Sequence, residues 1–264
     1  MESVKNIYSE ILEVNNPRLE NLPLVNGGPW KVCVIVASYL IIVKILGPQF
    51  MKGRQPFDLR KYMLLYNCFL IGFNGIGFFI GLWMLEFGRL AIDCTLDLHH
   101  FDHIQLTLFT FFGWLYFISK VADFMDTFFF VLRKKANQVT FLHVFHHSVM
   151  PLIGYAGMKF HPLPYSGLMP LLNVFVHAVM YSYYALSSAG PEMKKYLFWK
   201  KRITQIQMIQ FVMTLIHSVN GLINPNCKWP KFLAFCECIH SIIFLILFYS
   251  FYRKSYSSEK VKSQ

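Results

Sequence analysis

Apolar residues in this chain fall in blocks of about twenty, the length a helix needs to cross a hydrocarbon layer, rather than in the two-residue alternation of strands. The blocks occupy residues 30–51, 62–85, 104–132, 141–160, 168–188, 203–223 and 232–252. Seven transmembrane helices are predicted, and the expected class is an all-α membrane protein. Residues 1–29 carry Glu2, Glu10, Glu13 and Glu20 without an apolar core, so they read as a tail outside the membrane and not as a cleavable signal. Residues 30–252 then form one helical domain with no internal repeat, and residues 253–264 form a second polar tail.

Charge orients this array. The segments 52–61, 133–140, 189–202 and 253–264 together hold 16 Lys and Arg, against 5 in the segments on the opposite side. By the positive-inside rule the N-terminus is expected to be lumenal or exterior and the C-terminus cytosolic. The net charge of +11 is therefore an expression of topology, and it calls for no nucleic-acid partner. Cys94 and Cys227 are the cysteines in the non-cytosolic loops, where an oxidising compartment would allow a disulfide between them, with two free thiols as the alternative. No C-x-x-C spacing marks a metal or redox site. Gly72, Gly75, Gly77 and Gly81 in the second block suit close helix packing.

Polar groups inside apolar blocks cost free energy unless they are paired or used. The third block carries Lys120, Asp123, Asp126 and Thr127 at spacings of three and four, which share one helix face. The fourth begins with His143, His146 and His147; the fifth offers Asn173, His177 and Tyr181; the sixth offers Thr204, Gln207 and Gln210. Counted inward from the cytosolic ends at about 1.5 Å per residue, His146, Asp126 and Gln210 lie roughly 8 to 10 Å deep, Gln207 near ~6 Å, His177 about 15 Å and Lys120 about 20 Å. One polar chamber in the cytosolic half is expected. Singly, Lys120 with Asp123 also reads as a structural ion pair, the glutamines as interhelical hydrogen-bond glue, and Tyr181, Tyr183 and Tyr184 as interfacial anchors. Three clustered histidines are harder to explain as packing.

Three chemistries use such a layer. A seven-helix receptor or transporter would place charges there to bias conformations, but imidazole suits proton transfer or nucleophilic work better. A membrane di-iron desaturase or hydroxylase also uses H-x-x-H-H boxes, and His99, His100 and His103 supply a reversed one. That second group falls in the acidic 86–103 loop, on the opposite side of the membrane from His146, whereas a metal cluster needs its ligands together. Acyl transfer is the third, with a histidine attacking a thioester.

Four segments then resemble a known family. Lys120 to Thr127 (K-V-A-D-F-M-D-T), Phe141 to Met150 (F-L-H-V-F-H-H-S-V-M), Asn173 to Tyr184 (N-V-F-V-H-A-V-M-Y-S-Y-Y) and Thr204 to Phe211 (T-Q-I-Q-M-I-Q-F) are similar to the signature boxes of the very-long-chain fatty acid elongases. They stand in the family's order and spacing, within a resemblance covering about Arg54 to Tyr252. The resemblance implies condensation of acyl-CoA with malonyl-CoA to 3-ketoacyl-CoA, carbon dioxide and CoA, with no metal or other cofactor. It implies that His146 carries the acyl group and that His177 helps activate the thioester or the malonyl group. Asp126, His143, His147 and Asn173 would orient the imidazoles, and Lys120, Asp123, Tyr181, Gln207 and Gln210 would line the substrate chamber.

On the same reading, helices two to seven surround a narrow acyl tunnel whose length limit involves Met169 and Leu172. Arg133, Lys134, Lys135, Lys200, Lys201 and Arg202 meet the CoA phosphates at the cytosolic rim. The family box usually has Glu where this chain has Asp123, which keeps the carboxylate but shortens it by one methylene. Phe145 and the preceding Q-V-T-F-L resemble the branch acting on saturated and monounsaturated chains. Lys260 and Lys262 resemble a dilysine retrieval signal for the endoplasmic reticulum. The family is often dimeric, so a homodimer and contacts with other enzymes of the elongation cycle are expected partners.

Overall fold

The apolar blocks are helical, the third of them interrupted. The computed structural model describes residues 17–19, 21–26, 28–160 and 164–256; the acidic residues of the N-terminal tail and Lys260 and Lys262 lie outside them. Helix α1 spans Trp30–Met51 and passes through a π-helical turn, Ile42–Leu46, just ahead of Pro48, which has no N–H to give to the ladder. Helix α2 is Arg60–Met84, α3 His103–Ala122, α4 Phe124–Leu132, α5 Phe141–Phe160, α6 Leu168–Ala189, α7 Lys200–Ile223 and α8 Lys231–Tyr256. No strand occurs among the described residues.

Four of these helices, α1, α2, α7 and α8, are long and apolar enough to cross a membrane. The chain is a multi-pass membrane protein in character. Helices α3, α5 and α6 have the length but carry the polar stripes, which lower their hydropathy. On α2, Leu65 and Phe79 are about two-thirds exposed, a surface suited to lipid and costly in water.

The chain divides into two compact units, one of residues 1–58 and 97–166, the other of residues 59–96 and 167–264. In the first, α5 packs against α3 and α1, and α1 also meets α4. The end of the N-terminal segment joins this unit: Leu19 and Val25 are buried with Val32, Phe117, Tyr155 and Met158, and Trp114 donates to the Pro23 carbonyl at 3.0 Å. In the second, α2 runs along α6 and α7 along α8, with α7 also touching α6.

The third block departs from its expected form. It is two helices and not one, because Asp123 closes α3 and opens α4. Its backbone stays in the right-handed helical region (φ −60°, ψ −14°), so helical spacing of side chains persists across a break in the ladder. Helix α3 starts at a capping box in which the Asp102 carboxylate accepts from the Gln105 backbone N–H at 2.7 Å and the Gln105 side-chain Oε1 accepts from the Asp102 backbone N–H at 3.0 Å.

The packing expected of the α2 glycines also needs correction. A Cβ at Gly81 would meet Leu171 Cδ1 at 3.2 Å, but at Gly72, Gly75 and Gly77 nothing lies within 4 Å. Small residues permit close approach without dictating it, and of these four only Gly81 lies against α6. The closest glycine contacts are elsewhere: a Cβ at Gly221 would sit 2.6 Å from the Trp229 ring, and one at Gly47 would sit 2.7 Å from Val131 Cγ1.

Candidate active site

In the first unit the polar groups gather on α3, α4 and the start of α5. Thr140 caps α5, its Oγ1 accepting the His143 backbone N–H at 3.2 Å, which sets the phase of the whole histidine box. The His143 and His147 rings lie 4.2 Å apart at 50°, and His146 meets His147 edge-on at 5.3 Å. His147 is buried, while His143 and His146 are half-buried. Four residues on, Pro151 removes the backbone donor that would have paired with the His147 carbonyl.

Opposite these rings, Lys120, Asp123, Asp126 and Thr127 are all buried. Lys120 Nζ stands 3.0 Å from Asp123 Oδ2 and 5.0 Å from the centre of the Tyr116 ring. An ammonium in that position is held by a carboxylate and an aromatic face together. Thr127 Oγ1 hydrogen-bonds His143 Nε2 at 2.8 Å and Tyr39 Oη at 2.9 Å. Tyr39 was not singled out by sequence reasoning, since a lone Tyr in an apolar block carries no distinguishing signal.

In the second unit Asn173, His177, Tyr181, Thr204 and Gln210 are buried. Tyr181 is fully enclosed and lies edge-on to Tyr66, His177 and Tyr184, so it is part of a buried ring cluster and not an interfacial anchor. Asn67 on α2 donates to Ser188 at 3.4 Å. Gln207 is half-buried and donates to the Met180 sulfur at 3.7 Å, which joins α7 to α6. The basic groups Lys134, Lys135, Lys200, Lys201 and Arg202 are exposed and Arg133 is half-buried, as groups meeting water or phosphate must be.

His99, His100 and His103 are exposed. His100 Nδ1 lies 2.9 Å from Asp97 Oδ1, and this contact, followed by the His99 backbone N–H, holds the Asp97 carboxyl below its ordinary range. Among the described residues no three His, Cys, Asp or Glu side chains group as metal ligands would. Cys94 and Cys227 are brought side by side as two buried thiols, the two loops being tied by the Lys228 N–H donating to the Cys94 carbonyl at 2.6 Å. Burial first, and the neighbouring Cys227 second, push the Cys94 thiol up to about 12.

Each unit thus carries one histidine-bearing cluster, His143, His146 and His147 in the first and His177 with its neighbouring tyrosines in the second. Residues 24–264 match the sequence model of the ELO family, described as the GNS1/SUR4 family. The chain belongs to the ELO family. Among its relatives, a very long chain fatty acid elongase of Aedes aegypti is 36% identical over 261 residues, 98% of this chain and 72% of that protein. Very long chain fatty acid elongase 7 of Drosophila melanogaster is 38% identical over 246 residues, 92% of this chain and 73% of that protein. Very long chain fatty acid elongase 1 of mouse is 38% identical over 266 residues, 98% of this chain and 93% of that protein. The family expected from the four boxes is the family found.

Proposed function

We propose that this ELO-family chain is a 3-ketoacyl-CoA synthase that condenses a long-chain acyl-CoA with malonyl-CoA, the first step of very-long-chain fatty acid elongation. The observation that carries the reading is the three-imidazole box at the head of α5, in a chain whose relatives, aligned over 98% of it, are named very long chain fatty acid elongases. His146 attacks the thioester carbonyl, forming an acyl-imidazole and releasing CoA. Malonyl-CoA then loses carbon dioxide, and the resulting enolate attacks the acyl carbonyl, forming the new carbon–carbon bond and freeing the imidazole. No oxidant or reductant is consumed, so the chemistry calls for no redox cofactor.

His177 activates the thioester or the malonyl group, and Asp126, His143, His147 and Asn173 hold the imidazoles in their reacting orientation. Lys120, Asp123, Tyr181, Gln207 and Gln210 serve substrate binding. Phosphates of CoA are met by Arg133, Lys134, Lys135, Lys200, Lys201 and Arg202, whose exposure supports that role. The charge asymmetry of the loops supports a seven-span arrangement with a lumenal N-terminus and cytosolic C-terminus, in the membrane of the endoplasmic reticulum where the loops bearing Cys94 and Cys227 meet an oxidising lumen. The side-by-side sulfurs support a Cys94–Cys227 disulfide there. Assembly as a homodimer and with other enzymes of the cycle completes the proposal.

The test is to incubate purified protein in detergent with a long-chain acyl-CoA and labelled malonyl-CoA. A labelled 3-ketoacyl-CoA two carbons longer than the substrate is expected. Carbon dioxide release without that product, or no turnover across a panel of chain lengths, contradicts the proposal.

A further inference from the structure

Tyr39 on α1 is 1% exposed and stacks on Phe124, ring centres 4.1 Å apart, inside an apolar cluster with Val36, Val43 and Val144. A phenol in such surroundings must spend its hydroxyl on a partner or lose free energy. Its partner is Thr127 Oγ1 at 2.9 Å, and Thr127 is itself fully buried and 2.8 Å from His143 Nε2. Three residues from three helices therefore form one hydrogen-bond chain ending on the histidine box. Its direction follows from proton counting. Thr127 has a single proton to give. If His143 Nε2 were protonated and donated to Thr127, either Thr127 would donate to Tyr39 and leave the buried phenol proton facing the apolar cluster, or Tyr39 would donate to Thr127 as well and leave the Thr127 proton with no acceptor in the chain. If Tyr39 donates to Thr127, Thr127 donates to His143 Nε2 and every proton in the chain has an acceptor.

We propose that Tyr39 is a positioning residue for the condensation, acting through Thr127 to hold the His143 imidazole in the tautomer that carries its proton on Nδ1. The inference rests on the reading of the α5 box as the reacting one. In that tautomer His143 is a neutral ring packed 4.2 Å from His147, and its Nδ1–H is the one donor it has for the box. Without the phenol, Thr127 satisfies either tautomer and the population divides.

The experiment measures kcat and KM for both CoA substrates, and thermal unfolding, in full-length Tyr39→Phe, Thr127→Val, the double variant and Thr127→Ser. Tyr39→Phe keeps the ring stacked on Phe124 and removes only the hydroxyl. It is expected to lower kcat roughly two- to tenfold, the scale of one net hydrogen bond, with KM unchanged. On the Thr127→Val background it should have no further effect, because the chain is already cut. Thr127→Ser, which keeps the hydroxyl, should recover the kcat that Thr127→Val loses. An unchanged kcat in Tyr39→Phe, an equal loss in both backgrounds, or a lower unfolding temperature with full turnover per folded molecule overturns the inference. His146→Ala in the same assay separates the two levels: if it is inactive while Tyr39→Phe turns over normally, only the relay fails, and if it is active, the reading beneath the relay fails with it.

Discussion

Asp123 stands where the resemblance expects Glu, and its pairing with Lys120 sets a measurable consequence. Both side chains are nearly inaccessible, 1% and 3% exposed, with the charged atoms 3.0 Å apart. Replacing Asp123 with Asn leaves the ammonium without its carboxylate in a site water barely reaches, a change that costs about 3–5 kcal/mol for a buried pair. The Tyr116 ring, 5.0 Å from Lys120 Nζ, offsets about 1 kcal/mol of this. At about 2–4 °C per kcal/mol for a chain of this size, a fall in unfolding temperature of roughly 5–15 °C is expected for Asp123→Asn in detergent. Removing both charges, in Lys120→Met with Asp123→Leu, should recover most of that loss, since desolvation of the pair disappears along with its attraction. Asp123→Glu restores the residue expected in the family box and should keep both unfolding temperature and turnover near normal. An Asp123→Asn variant that melts with the unaltered protein would refute the argument that this carboxylate compensates Lys120. A double variant no more stable than the single one would refute it as well.

The remaining predictions concern the site and the lumenal loops. His146→Ala and His177→Ala should each abolish ketoacyl-CoA formation while the protein stays folded and membrane-inserted; near-normal turnover in either removes its assigned role. Protein isolated from the membrane under thiol-blocking conditions should be two hydrogens lighter than its reduced form in the peptides bearing Cys94 and Cys227, and two alkylated cysteines would contradict the bridge. In reduced, native protein, Cys94 should react with an alkylating agent at pH 8 far more slowly than after denaturation, because a thiol pushed up to about 12 holds almost no thiolate there; equal rates would contradict this. Replacing His99, His100 and His103 together by Ala should spare turnover, as these side chains are exposed and His100 pairs with Asp97 of its own loop; lost activity together with lost bound iron would favour oxygenase chemistry instead.

Much of this was legible along the chain because membrane helices write themselves in composition. The helices that formed on the apolar blocks start and stop close to the block edges, at Thr140, Gly190 and Pro230 among others. The break at Asp123 escaped notice for a physical reason: its backbone remains helical, so the three-and-four spacing of Lys120, Asp123, Asp126 and Thr127 reads the same across it. Burial of those four, and of Asn173, His177 and Gln210, was readable from the cost of polar groups in apolar blocks. Tyr39 was not, because the bond to Thr127 joins residues 88 apart and no spacing within one helix reveals it. The α2 glycines misled in the opposite way, since a stripe of small residues says what close approach is permitted and not where it occurs, which here is at Gly81 and not at Gly72, Gly75 or Gly77. Tyr181 was ambiguous for a related reason. A Tyr near a helix end suits a membrane interface or a buried ring cluster equally well, and only its neighbours Tyr66, His177 and Tyr184 decide between them.

The account turns on an acyl group borne by an imidazole of the α5 box. Incubating the purified protein with acyl-CoA alone, then digesting it and mapping peptides by mass, tests this directly. An acyl increment on His146, accompanied by one equivalent of free CoA and discharged into 3-ketoacyl-CoA when malonyl-CoA is added, is the predicted result. Full turnover with CoA released only after malonyl-CoA is added, and no acylated peptide at any time, would contradict it.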